Sequence, residues 1–489
     1  MPVPDARACL AGAAAPAGRP ASRRRLLVLA VGGLAASVAG PLRAGAAAAA
    51  PPVPVEPPAG SARPPASASP PAPLGSDASP VPPPPRGDRA WRTAFLAPLQ
   101  GPIRGNPQAD DAALRFADLS LRQFLPLALP GGRLRVRLAN PEGDAPLQVG
   151  AASVGWRRGR SGAGVQPGSL RPLSFDGART VQVPPGATRF SDPVALPPPA
   201  PGGVAAEPAD LALSLFLPQR SPRASWHPVG GRSSHRSLAG DHVDAPDFPE
   251  PPAAPPDRAL YFVDRVEVEA PAAARLWVAF GDSITDGAWH RVDTDGSWPA
   301  QWNHRWRRAP GAAARPPLAV LNAGLGGNRL LSAGESAPGR LRYRDEVLAL
   351  PGAVGVAIQI GINDLGQAAP AQLPAVAQAL RDGWIALARE AREAGLRAVG
   401  VTLLPVGGSF YDRPEVEAAR RRHNDWLRRS RVVDAVIDAD RLLRDPRRPA
   451  ALRAAWTEDH LHPNDAGYAR LAALTVQVLA RAGLEPPRR

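Results

Sequence analysis

Ser283 lies in Gly281-Asp282-Ser283-Ile284-Thr285-Asp286-Gly287, directly after the apolar run Trp277-Val278-Ala279-Phe280. A serine hydroxyl is a weak nucleophile near neutral pH. Acyl transfer needs an imidazole to take its proton and an acid to fix that imidazole's tautomer. Asp459 and His462, in Asp459-His460-Leu461-His462-Pro463-Asn464, can supply both. The tetrahedral intermediate of such a reaction carries negative charge and needs converging donors. The Asn363 side-chain amide in Gly361-Ile362-Asn363-Asp364, the Ser283 backbone N–H and a glycine N–H from Asn322-Ala323-Gly324-Leu325-Gly326-Gly327-Asn328 can provide them. Glycine there lets the backbone approach a substrate closely.

These residues must be held by something rigid. From Arg275 onward, short apolar runs alternate with amphipathic segments: Leu276 to Phe280, Leu318 to Leu321, Val354 to Ile360, Ala398 to Leu404 and Val432 to Ile437. Strand-helix alternation predicts a parallel sheet covered on both faces with right-handed crossovers, and ligands beyond the carboxyl ends of the strands. Ser283 and Asn363 fall at such ends. Pro463 biases His462 away from helical geometry and Asn464 is a suitable cap for the closing helix, so the acid-histidine pair is expected on a loop.

Between Trp91 and Val268 the periodicity is two instead. Arg133-Leu134-Arg135-Val136-Arg137-Leu138 alternates strictly, as do Leu211, Leu213, Leu215 and Leu217. With further candidates at Leu119 to Phe124, Thr180 to Val183 and Tyr261 to Val268, separated by Pro/Gly-rich turns, this predicts half-buried antiparallel strands in a β-sandwich domain of its own. His227, His235 and His242, with Trp226, could be a metal or sugar site, but histidines in a Gly/Ser/Pro-rich loop are expected at the surface. Trp298, Trp302 and Trp306 recur every four residues and are expected in a helix core rather than on sugar rings. Trp289 and His290 lie close to Ser283, and Gly407-Gly408-Ser409-Phe410-Tyr411 could form part of a pocket rim.

The N-terminus reads as an address. Ser22-Arg23-Arg24-Arg25-Leu26-Leu27 leads an apolar stretch to Val38, and Ala44-Gly45-Ala46 offers a cleavage site, so residues 1–46 are expected to be a secretory signal, of the twin-arginine or general type. The expected location is periplasmic or extracellular, without stable membrane insertion after cleavage. From Pro51 to Pro85 there are 15 prolines in 35 residues, which predicts a solvated linker over 47–90. The Arg86-Gly87-Asp88 triplet at its end is too short a match to carry meaning.

The 489 residues allow about three domains at roughly 150 residues each. The one cysteine, Cys9, lies in the expected signal, which excludes a disulfide framework or thiolate metal site in the mature chain. The net charge is +14 and every basic residue is arginine. Those arginines are dispersed among acidic residues without a basic stripe or interleaved aromatics, so no nucleic-acid partner is expected. Also missing are a Gly-x-Ser-x-Gly elbow, a His-Glu-x-x-His metal helix and a Walker-type phosphate loop; without lysine no serine-lysine dyad is possible.

Taken singly, each polar segment reads as a cap or a turn. In this order, from Val278 to about Ala482, the four resemble the blocks of the SGNH (GDSL-type) hydrolases: Gly-Asp-Ser, Asn-x-Gly-x-x-Gly, Gly-x-Asn-Asp and Asp-x-x-His. The resemblance implies a three-layer α/β/α flavodoxin-like domain over 271–489, behind the β-sandwich-like domain over 91–270. It implies a serine esterase or acyl hydrolase with Ser283 as nucleophile and oxyanion donor, Gly327 and Asn363 as the other oxyanion donors, His462 as base and Asp459 as its partner. The three-residue spacing from Asp459 selects His462 over His460, while adjacent Gly326 and Gly327 leave the glycine register open by one. No metal or organic cofactor is implied. The Asn322 to Arg329 loop, the Thr402 to Tyr411 segment and the preceding β-domain are most similar to secreted bacterial xylan-associated esterases, which implies deacetylation of a polysaccharide or small glycoside ester. The alternatives are a lipase or lysophospholipase-type acyl hydrolase, and a carbohydrate-binding protein with an inert hydrolase fold.

Overall fold

The computed structural model describes residues 87–484 except 104–105, 107–108, 200–209, 253–255, 313–314 and 335. The expected signal, and the linker up to residue 86, lie outside them. No helix among the described residues is long and apolar enough to cross a membrane.

The period-two region folds into two five-stranded antiparallel sheets. One places strand Val263–Pro271 between Arg89–Leu96 and Arg133–Ala139; Thr188–Phe190 and Val194–Ala195 both pair with Arg133–Ala139. The other runs Ser234–Ala239, Leu119–Leu125, Leu211–Leu217, Ala151–Trp156, Arg171–Pro172. Arg89 and Ala90, assigned above to the linker, already pair with Pro271 and Ala270.

Arg133–Ala139 alternates as its sequence requires. Leu134, Val136 and Leu138 are buried, while Arg135 pairs with Glu267 and Arg137 with Asp264 on the other face. Leu211–Leu217 departs from the half-buried expectation, because Ala212 and Ser214 on its second face are buried too. The segments around 163 and 241–248 close over that face. There the buried Arg122 guanidinium donates to Ser214 Oγ at 2.9 Å and to the carbonyls of Ala163 and Ala245 at 3.1 and 2.8 Å. The expected strand Tyr261 to Val268 breaks at Phe262, whose φ is +59°, so that Leu260–Tyr261 pairs with Trp226–His227 while Val263–Pro271 enters the first sheet.

In the C-terminal half, strands Arg275–Gly281, Leu318–Gly324, Ala353–Gln359, Arg397–Val401 and Ala435–Ile437 form one parallel sheet. Numbered in chain order they lie 2-1-3-4-5, the flavodoxin-like order. Right-handed crossovers put connections that run in opposite directions along the sheet on opposite faces. Helix Trp298–Arg307 accordingly packs with the final helix Asp465–Arg481, and helix Leu373–Glu393 with Pro414–Arg429. Two of the expected strands are shorter than their apolar runs. Thr402 to Val406 leave the sheet as buried coil, and Val432 to Asp434 form bends before Ala435.

The sandwich is not a detached body. It and the α/β half form one compact unit, with a continuous core running from Ala94 to Leu479. Only Ala272, Ala273 and Ala274 separate the last sandwich strand from the first parallel strand. Trp298 and Trp302 are fully buried and Trp306 nearly so, with Trp277 of the central strand packed at 5.7 Å from Trp302 and 6.3 Å from Trp306; the stripe is core, as expected.

Candidate active site

The order 2-1-3 makes the sheet reverse direction between its first and third strands, where a crevice opens at the carboxyl edge. Ser283 follows the first strand and Asn363 the third, so the two flank that crevice. Ser283 starts a single helical turn, Ser283–Asp286, capped by Asp282 Oδ1, which accepts from Ile284 N at 3.0 Å. The turn rests on Gly324, where an added Cβ would lie 2.0 Å from Asp286 N, so only glycine fits.

Ser283 Oγ is 2.8 Å from His462 Nε2, and His462 Nδ1 is 2.6 Å from Asp459 Oδ2. A carboxylate can only accept, so Nδ1 carries the hydrogen and Nε2 turns its lone pair to the serine hydroxyl. The loop is pinned from within. Asp459 Oδ1 accepts from Leu461 N at 3.0 Å and from His462 N at 2.8 Å, and Asn464 caps the final helix by accepting from Gly467 N at 3.2 Å. Burial would raise the Asp459 carboxyl, but the His462 hydrogen bonds and charge outweigh it and hold the group at about 2. His460 stays exposed at φ +66° and packs on Gly408.

Asn363 is 4% exposed. Its Nδ2 donates to Asn328 O at 3.0 Å, and its Oδ1 accepts from Tyr411 OH at 2.9 Å. Gly326 and Gly327 form a turn closed by Asn328 N donating to Leu325 O at 3.2 Å, which leaves both glycine amides outside that hydrogen bond. Gly327 has φ +68°, the left-handed conformation that glycine adopts without strain; Gly326 does not.

Several supporting residues have a role that the sequence does not reveal, even where they sit inside a motif, as Asp364 and Asp282 do. Asp364 accepts from Leu330 N at 2.8 Å and Leu331 N at 3.0 Å, fastening the glycine loop to the Asn363 helix. Burial pushes its carboxyl up. Arg342, buried beside Glu346, donates to Asn328 Oδ1 at 3.0 Å. The i,i+4 Arg-Glu spacing is the only sequence signal for that pair. Asp282 is fully buried, and desolvation together with Asp364 and Asp286 nearby raises it to about 7 against the opposing Ile284 N–H.

The sandwich reaches the same region. His227, expected at the surface, is buried on a short strand and bridges Pro98 O at 2.7 Å and Asp286 Oδ1 at 3.0 Å. Buried alone it would lose its charge, but Asp286 outweighs desolvation and raises its pKa. His235 is also buried, between Glu250 and Ser233, and only His242 stays partly exposed. Asp293, at φ +61° in the loop after the nucleophile turn, accepts from Arg157 at 2.6 Å and from Ser233 N at 3.0 Å, while Arg232 holds Asp295. His290 is buried in that loop and lines, with His227, Arg232 and Asp286, a cavity of about 110 Å³ that does not include Ser283. Trp289 is half-buried with φ +70°. Among the described residues no group of three or more His, Cys, Asp or Glu could hold a metal.

Comparison with known families supports a carboxylic ester hydrolase. Residues 279–470 match the model of the GDSL-like Lipase/Acylhydrolase family. Similar solved structures include a GDSL-like lipase from Bacteroides thetaiotaomicron VPI-5482, 17% identical over 42% of this chain and 89% of that one, TM-score 0.31. Axe2, an acetylxylan esterase from Geobacillus stearothermophilus, is 20% identical over 43% and 95%, TM-score 0.31. LAE5, an alpha/beta hydrolase enzyme from the metagenome of Lake Arreo, Spain, is 20% identical over 44% and 97%, TM-score 0.32. No curated protein sequence matches the chain.

Proposed function

We propose that the protein is an exported serine esterase that removes acetyl groups from a carbohydrate through Ser283, His462 and Asp459. The observation that carries the reading is the continuous hydrogen-bonded relay from Ser283 Oγ through His462 to Asp459. Ser283 Oγ attacks the ester carbonyl carbon as its proton passes to His462 Nε2, and the carbonyl π electrons move onto oxygen. The Ser283 and Gly327 N–H groups and the free hydrogen of Asn363 Nδ2 receive that oxyanion, each donor being worth on the order of 10²–10³ in rate. Collapse breaks the bond to the alcohol, whose oxygen takes the proton from Nε2. Water then attacks the acyl-serine by the same route, giving its proton to His462, and the second collapse returns a proton to Ser283 and frees the acid.

The Asn322 to Arg329 loop and the Thr402 to Tyr411 segment, through their likeness to xylan-associated esterases, favour acetylated polysaccharide or glycoside as substrate. Export rests on the arginine-led apolar segment at residues 22–38 and the small residues after it.

The test compares p-nitrophenyl acetate with longer-chain esters, and measures acetate release from acetylated xylan, for the mature protein and its Ser283→Ala variant. Acetate preference and acetate release are expected, and both should fall about 10⁴-fold or more in the variant. A long-chain preference would make it a lipase, and glycan binding without hydrolysis an inert fold. Unchanged hydrolysis in the variant would remove Ser283 from the nucleophile role.

A further inference from the structure

Asn363 has to do two things if it is an oxyanion donor: present an N–H hydrogen to the substrate oxygen and keep its own oxygen turned away. Primary amides are nearly symmetric in shape, so the orientation must come from partners. One partner is Asn328 O, a carbonyl that can only accept, at 3.0 Å from Asn363 Nδ2. The other is Tyr411 OH, 2.9 Å from Asn363 Oδ1. The Tyr411 oxygen in turn accepts from Gln367 Nε2 at 3.2 Å, so its single hydrogen is committed to Asn363. One hydrogen of the Asn363 amide is thereby used and the other left without a partner among the described residues.

Tyr411 is itself held firmly. Its ring lies against Gly366, where an added Cβ would fall 2.5 Å from the ring carbons. Two residues on, Arg413 donates to the carbonyls of Gly366 and Ala368, each at 2.9 Å, fastening the same segment to the Asn363 helix. Phe410 beside it is 59% exposed, whereas Tyr411 is 7% exposed, so the segment turns one aromatic to solvent and the other to the amide. Burial pushes the Tyr411 hydroxyl up to about 12, which keeps it a donor across the working range of an esterase.

We propose that Tyr411 is a positioning residue for ester hydrolysis: its hydroxyl locks the Asn363 amide with one N–H aimed at the oxyanion. A donor on the amide oxygen also polarises the amide, strengthening the N–H it offers to the developing charge. The proposal rests on the oxyanion reading of Asn363 given above. Tyr411 acts through that side chain and touches no reacting atom.

A double-mutant cycle on p-nitrophenyl acetate hydrolysis tests it, with Tyr411→Phe, Asn363→Ala and the pair. Phenylalanine keeps the ring on Gly366, and the variant should unfold within a few degrees of the parent. Tyr411→Phe is expected to lower kcat roughly tenfold with KM held within about twofold. Asn363→Ala is expected to lower kcat on the order of 10²–10³-fold, and the pair to be no slower than Asn363→Ala by more than about twofold. Losses that multiply in the pair would overturn the positioning role while leaving the Asn363 reading intact, and so would parent-level kcat in Tyr411→Phe. Parent-level kcat in Asn363→Ala would overturn the oxyanion reading itself and the positioning role with it.

Discussion

Two carboxyl groups near Ser283 are displaced in opposite directions, and both have consequences for stability. Asp282, raised in the fold to about 7 from an ordinary 3.8, binds its proton more tightly when folded. The folded state then holds more protons than the unfolded one between about pH 4 and 7, so stability falls as pH rises through that window and levels above it. Asp459, held at about 2, has the opposite sign: its contribution is present above about pH 4 and disappears as pH falls toward 2. Asp282→Asn keeps an oxygen for the Ile284 N–H and removes the first effect. Measured by urea unfolding, its stability relative to the parent should climb between pH 4 and 7, with a slope of at most about 1.4 kcal/mol per pH unit. A difference that stays constant across that range would refute the assignment. At this scale the sequence is most legible for groups defined by motif spacing: Ser283, Asn363, Asp459 and His462 lie where strand ends and a capped loop are expected. Asp364 and Tyr411 are visible as letters but not as supports, because what they do depends on partners 33 to 48 residues away.

Elements explain where sequence and structure part. The five parallel strands are legible from their apolar runs, yet only Pro405 locally marks Thr402 to Val406 as buried coil rather than strand, and Thr402 to Leu404 before it have the same apolar character as the strand they continue. His227 and His235 look like surface residues because their segment is rich in Gly, Ser and Pro. Their burial is imposed by what packs over them, the nucleophile turn in one case and Glu250 in the other. The loop from Ala288 to Ser297 is the sharpest instance: Arg157, Arg232 and Ser233 of the sandwich hold Asp293 and Asp295, while Asp465 and Tyr468 of the final helix hold Arg291 and Ala288. Asp293→Ala removes one anchor and leaves Arg157 with Asp210 at 3.4 Å as its remaining carboxylate. The cost should be about 1–3 kcal/mol by chemical denaturation. Amide exchange should quicken over residues 288–297 and stay unchanged in strand Arg275–Gly281; uniform exchange across both would show that the sandwich does not anchor the loop.

For the whole molecule, the period switch from two to strand-helix alternation falls between strand Val263–Pro271 and strand Arg275–Gly281, but it cannot show that the two halves share a filled border. Periodicity reports which face of an element is apolar and not which partner covers it. Arg137 and Arg265 both reach Asp345, His227 reaches Asp286, and the apolar core is continuous from one half to the other. Calorimetry should therefore give a single transition for the described unit, with calorimetric and van't Hoff enthalpies equal, and two resolved transitions would contradict the shared core. The alanine-rich connection of Ala272 to Ala274 has a further meaning for descent. A lineage that inherits this hydrolase half inherits the sandwich as a matched pair, since a foreign domain spliced in at that point would arrive without His227, Arg157 and Arg232. Recombination at the junction would be selected against, and the two halves should share one genealogy.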